Sequence, residues 1–480
     1  MAGPRCHLGG EPRRTTHALN DGRQQEICQA INLTGGHRRL PEHAPDPNIT
    51  RHRRRYFCLD RHQLFPHPSL AMTADHSPSL EEAPASPGRV ETLALCCSIH
   101  LLHDGCANAL YVLFPLIALD LQLSFAQVGL LKTAYTWALS GMQIPASFLA
   151  ERAGEILILS AGTALLGLSL VATALVISYP FLVWLLTLAG GGSGVQHPLA
   201  SSLVSHAYQS AGRRTALGTY NFSGDLGKVM LPGLVGVLAA SWGWRGGFVV
   251  LGLFAVTTGG VLGLYLAKRG TTPPTPIQPP PATPSQGWGI LDRRRFRRLT
   301  LIGMLDDSTR TSFLTFLPFL LVRKGMGPEE IGLALTLLFA GGAAGKFLCG
   351  VLADRAGIIP IIVGTEVLTG ALILALLPLS SAAIFFVIPL VGLVLNGTSS
   401  VLYGTVPELV APQGRSRGYA LYYTVVMATG AAAPFLAGLL SDATGLSLTL
   451  GAISATALAA GCLSLFLREP NPAPPHDLPQ

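Results

Sequence analysis

Apolar stretches of about twenty residues recur between Leu93 and Leu467, broken by short polar turns. Each can cross a hydrocarbon core of roughly 30 Å at about 1.5 Å per residue. The pattern predicts twelve spans, at 93–119, 125–149, 156–178, 180–206, 216–240 and 247–267, then 299–322, 328–352, 358–378, 381–406, 418–440 and 446–467. The runs are too long and too uniform for barrel strands, so backbone satisfaction in lipid makes them helices. The expected fold class is all-α integral membrane.

Composition strengthens that reading. Charged residues make up 12% of the 480, hydrophobic residues 49%, and mean hydropathy is +0.45. Soluble domains carry about 25% charged residues. Lipid has to be the solvent for most of this chain.

Outside the spans the composition shifts. Residues 1–90 are rich in Pro, Arg, His and Ser and read as a disordered or mis-called extension and leader, with Met72 as an alternative start. Residues 1–71 hold eleven Arg against six acids, which is +5 of the formal +7. The remaining body has no basic surface for nucleic acid. No apolar run follows Met1, so no secretory signal is expected. A Pro-rich stretch from Thr271 to Pro284, then Arg293, Arg294, Arg295, Arg297 and Arg298, marks a linker over 269–298. It separates six-helix halves at 91–268 and 299–468, ahead of a tail at 469–480.

Charge in the loops sets orientation. Arg152, Arg213, Arg214, Lys268, Arg269, the 293–298 cluster, Arg355, Arg415, Arg417 and Arg468 share one side. Only Arg245, Arg323 and Lys324 fall on the other. The loaded side, with both termini, is expected to be cytoplasmic, in a multi-pass protein of the plasma (inner) membrane.

Eight cysteines form no C-x-x-C pair, and five of them sit in apolar runs. Neither a disulfide framework nor a metal site is expected, and no cofactor. No G-x-x-x-x-G-K-[ST] loop and no H-E-x-x-H helix is present, which argues against ATP-driven pumping and against an enzyme.

The two halves repeat. Shifted by 203 residues, Asp104 falls on Asp307, Pro115 on Pro318, Gly129 on Gly332, and the loop 147–154 on 350–357. Shifted by 202, Gly212 and Arg213 fall on Gly414 and Arg415, and Pro232 on Pro434. Paired halves of this kind enclose a central site in secondary transporters.

The loop from Gly350 to Gly357 resembles the G-x-L-A-D-R-x-G motif of the major facilitator superfamily. Its first copy departs, with Ser147, Glu151 and Glu155. The resemblance implies the major facilitator fold of twelve transmembrane helices in two six-helix pseudo-repeats. It also implies a conformational gating role for Glu151, Arg152, Asp354 and Arg355. The string from Ile99 to Asp104, and the glycine run from Gly190 to Gly194 leading to His197 and Pro198, resemble the fosmidomycin resistance transporters. Gln196 and Leu199 depart from that pattern.

Ionisable residues inside spans are costly, so they mark a cavity or a partner. Asp104, Asp307 and Asp306 are candidates for proton coupling, or for capping and cross-linking helices. His103, His197, Arg310, Asp225 and Lys228 are candidates for substrate contact. Asp306 and Arg310, four apart, and Asp225 and Lys228, three apart, also suit structural ion pairs. Lys132, Lys346 and Glu366 are second-tier cavity candidates. The expected function is proton-coupled export of a small polar or anionic compound by alternating access, by a monomer whose partners are lipid, substrate and protons. Proton-symport uptake and a non-transporting sensor are the rivals.

Overall fold

A computed structural model describes residues 87–208, 212–269, 288–412 and 415–467. The extension over 1–86, most of the linker (270–287) and the tail lie outside the described residues. The chain forms helices α1 (Pro87–Asp120), α2 (Phe125–Ala153), α3 (Glu155–Thr173), α4 (Tyr179–Gly194), α5 (Gln196–Ala207) and α6 (Arg213–Arg269). Then follow α7 (Arg293–Arg323), α8 (Pro328–Ala356), α9 (Ile358–Ala375), α10 (Ser381–Thr405), α11 (Arg415–Thr444) and α12 (Leu446–Ser464).

Among the described residues, eight helices are long and apolar enough to cross a membrane by length and composition alone. One of these, α6, has 57 residues and turns back at Gly243, where φ is 67°. It therefore supplies spans five and six. Polar positions dilute α2 and α7, and α4 and α5 are individually short at 16 and 12 residues. Dividing α6 and adding α2, the α4–α5 pair and α7 gives the twelve spans.

Span four is made of two helical pieces, α4 and α5, that meet at Val195, whose own backbone stays helical (φ −73°, ψ −21°). Pro198 explains this: it lacks the N–H that would bond the Gly194 carbonyl, and its ring crowds that oxygen.

The repeat is visible in the backbone. Gly154 and Gly357, related by the 203-residue shift, both have φ of 91°; Gly243 and Gly445, related by 202, have 67° and 89°. These left-handed turns favour glycine and let consecutive helices reverse abruptly. Within the first half α1 and α3 pack on α6, and α2 on α4. In the second, α10 packs on α8, α12 on α9, and α11 on α7.

The core shows how the halves meet. At the helix ends away from the termini, a single buried cluster includes Phe114, Tyr135 and Phe248 together with Phe313, Phe316 and Leu335. At the terminus-bearing end the core divides in two. One cluster holds Cys96, Leu159 and Tyr220, the other Phe296, Val401 and Tyr422. The halves are thus fused at one end and parted at the other.

Candidate functional site

Charged side chains in this interior need partners, since leaving a charge unpaired in a low-dielectric space is expensive. They form two groups. The first begins at Asp104 on α1. Its Oδ2 lies 3.0 Å from Lys228 Nζ and 3.4 Å from His100 Nε2, and its Oδ1 lies 3.5 Å from His197 Nε2. Lys228 also donates to Asp225 at 3.1 Å, and Asp225 accepts a second bond from Lys346 of the other half at 2.6 Å. Asp104, Lys228, Asp225 and Lys346 therefore form an alternating chain from span one, through span five, to span eight. His197, Lys228, Asp225 and Lys346 are all partly accessible, with side chains 41%, 27%, 21% and 36% exposed.

Three local features hold this group. The glycines of α4 let it sink between its neighbours: a Cβ on Gly190 or Gly194 would strike the carbonyls of Tyr135 or Leu139 on α2, and one on Gly192 that of Gly162 on α3. His100 stacks on Tyr220 with ring centroids 4.3 Å apart, and its edge fills the space beside Gly224. His100 Nδ1 lies 2.8 Å from the Tyr220 carbonyl, which can only accept, so that nitrogen carries a hydrogen. Its Nε2 then faces Asp104 favourably only when a further proton is present on one of the two groups.

The second group lies on α7. Arg310 pairs with Asp307, three residues away, whereas the spacing in the sequence pointed to Asp306, four away. Asp306 instead faces Glu366 of α9. The reason is helical: adjacent positions differ by about 100°, so Asp307 turns to Gly430 of α11 and Asp306 to the opposite neighbour. Glu366 is 1% exposed, and its Oε1 has no hydrogen-bond partner. Lys132 lies 4.4 Å above the Tyr111 ring.

His103 sits apart from both groups. It is 1% exposed, with Nδ1 3.2 Å from Ser193 Oγ and Nε2 3.0 Å from Thr163 Oγ1. That position ties α1 to α3 and α4 rather than facing the partly accessible cluster. Glu151, Arg152, Asp354 and Arg355 are exposed at the parted end, and among the described residues none of the four forms an ion pair. Sequence reasoning passed over His100, although its place four residues before Asp104 was a usable signal. It also passed over Asp442 of α11, whose carboxylate accepts the Phe125 and Ala126 N–H groups of α2 in the other half.

Two homologous halves around a partly accessible polar interior define a membrane transporter. The model of the Major Facilitator Superfamily matches residues 96–305 and 299–480, and the chain belongs to that family. Its members carry solutes across membranes and are not enzymes. A probable sulfoacetate transporter of Cupriavidus necator is 30% identical over 50% of this chain, and the match spans 59% of that relative's length. The 3-(3-hydroxy-phenyl)propionate transporter of Escherichia coli is 27% identical, covering 78% of this chain and 93% of the relative. The fosmidomycin resistance protein of Escherichia coli is 25% identical, covering 77% and 90%. Among solved structures, a bacterial homologue of the human lysosomal transporter Spinster, inward-facing and occupied, superposes with a TM-score of 0.67 at 18% identity, covering 80% of this chain and 97% of that one. At that identity the likeness concerns the fold.

Proposed function

We propose that the protein is a proton-coupled symporter of a small organic anion, with its site between the halves and open toward the terminus-bearing, cytoplasmic side. The observation that carries this reading is the alternating chain Asp104–Lys228–Asp225–Lys346. In it the cations are already held by carboxylates. A substrate anion has to compete with Asp104 and Asp225 for Lys228 and Lys346. Protonating Asp225 releases Lys346, and protonating Asp104 leaves Lys228 with one carboxylate instead of two, so proton and anion bind together. Co-binding gives symport, whereas antiport needs the two to exclude each other. This argument favours uptake over the export expected from the repeat and the intramembrane charges. Sulfoacetate and 3-(3-hydroxy-phenyl)propionate, for which the Cupriavidus and Escherichia relatives are named, are organic anions of the class such a site would hold.

Asp104 with His100, and Asp306 with Glu366, are the proton carriers in this scheme; Lys228, Lys346, His197 and Arg310 are the substrate contacts. The test is transport into proteoliposomes with a panel of sulfonates, aryl carboxylates and phosphonates, while external pH is recorded. Symport alkalinises the medium as anion enters. Acidification on uptake, or flux unaffected by a pH gradient, overturns the reading.

A further inference from the structure

A groove of about 710 Å³ runs between α7 and α11 at the terminus-bearing end, away from the charged chain between the halves. Its size falls in the roughly 300–1,000 Å³ range of small-molecule sites. On α7 it is lined by Arg293, Phe296, Arg297, Thr300, Leu301 and Met304. The spacing keeps these positions on one helical face, and eleven residues of rise give the stripe a length of about 16 Å. Leu421 and Val425 of α11 form the facing wall. The charged end and the apolar end are thus ordered along one axis.

The charged end is built into the fold. Asp292 caps α7 by accepting from the backbone N–H groups of Arg294 and Arg295. Those N–H groups, that of Arg295 foremost, hold its carboxyl below the usual carboxylate range. The segment before it is tied down where Ile290 bridges Val410, with the Leu291 N–H donating to the Leu409 carbonyl at 2.9 Å. Among the described residues no carboxylate reaches ion-pair distance of Arg293 or Arg297, and Arg295 Nε is buried without a partner. A second, 360 Å³ hollow beside the groove is lined by Arg294, Arg297, Arg298 and Leu301. Residues 270–287 of the linker contain no acid that could neutralise these arginines. Trp288, Leu291 and Leu301 are 53%, 68% and 48% exposed next to the cations. Exposed Trp and Leu beside Arg that meet no carboxylate among the described residues is the chemistry of a membrane–water interface.

We infer that this groove seats one anionic phospholipid, with its phosphate between Arg293 and Arg297 and an acyl chain along Thr300, Met304, Leu421 and Val425. Arginine suits the head because its planar fork bonds two phosphate oxygens at once. A zwitterionic lipid would bring its own ammonium to the same arginines and be held less well.

The test is quenching of Trp288 by brominated lipids in nanodiscs. The full-length protein would keep Trp288 and carry Phe at the other four tryptophans, Trp137, Trp184, Trp242 and Trp244. Brominated phosphatidylglycerol should quench at lower mole fraction than brominated phosphatidylcholine. Arg293→Gln with Arg297→Gln should erase that preference, a loss of roughly thirtyfold if each arginine near the surface contributes about 1 kcal/mol. Arg323→Gln, at the opposite helix end, should leave it intact. Unfolding of the double variant would be recognised by size-exclusion elution; Arg293→Lys with Arg297→Lys, which keeps the charge but loses the fork, then serves in its place and should weaken the preference. Equal quenching by both lipids, a preference that survives in both double variants, or displacement of the lipid by soluble glycerol phosphate would overturn the inference. So would Trp288 protection by the chain's own linker or tail, seen as quenching that appears only after the linker is cleaved.

Discussion

Asp442, in the last turn of α11, caps the first turn of α2 in the other half: its two carboxylate oxygens accept the N–H groups of Phe125 and Ala126 at 2.8 and 2.9 Å. Ser124 serves the next orphan donor, Gln127 N–H. A helix start normally finds these partners locally. Here two of them come from across the interface, so the cap exists only while that end is closed. Asp442→Ala should cost this conformation about 1 kcal/mol, or about fivefold in population. Cysteine labelling at Gln122 from the far side would report it as faster modification.

Glycines set how closely the halves approach at the same end. A Cβ on Gly129 would strike the Pro434 carbonyl oxygen, and one on Gly332 would come within 2.7 Å of that of Pro232. Either Gly→Ala change should push the helices apart and weaken the closed end by about 1–3 kcal/mol. By contrast, Gly141 and Gly350, toward the parted end, have open space where a Cβ would go. Their Ala variants should transport and label as wild type. A double electron–electron resonance distance across each end would separate the two outcomes.

His103 and His197 should separate in the same way. His103 is held by two hydroxyls between helices, so His103→Ala leaves buried donors and acceptors unmatched, at about 1–3 kcal/mol. Its effect belongs in thermal stability. His197 is 41% exposed beside Asp104, so His197→Ala should raise KM severalfold with little change in Tm.

These cases show what the sequence could carry. Span count and repeat were legible because lipid imposes length, and because Gly154 and Gly357, or Asp104 and Asp307, occupy equivalent places. The junction at Val195 was legible too, in Pro198, although the apolar run across it masked the signal. Side-chain direction was a different matter. His103 and Asp104 are neighbours in the chain and must diverge, but which one meets the cavity depends on where α3 and α4 lie. The same holds for Asp306 and Asp307. Lys346 was undervalued because it has no counterpart in the repeat. Its partner, Asp225, sits in the other half, and neither the 203- nor the 202-residue shift relates the two.

The Asp225–Lys346 pair offers the most direct test of the symport reading. At 2.6 Å it joins the halves, and both side chains are partly exposed, so its loss should cost little stability, in keeping with the modest worth of accessible ion pairs. If Lys346 binds the substrate anion, Lys346→Gln should lower transport at least about tenfold, with KM carrying most of the loss. If it serves only to hold the halves, KM in Lys346→Gln should stay near that of wild type. Asp225→Asn, which frees Lys346 without a proton while Asp104 still holds Lys228, should lower KM for the anion and flatten the dependence of uptake on external pH. A KM that rises in Asp225→Asn would instead mean that the carboxylate orients the lysines for substrate rather than competing with it.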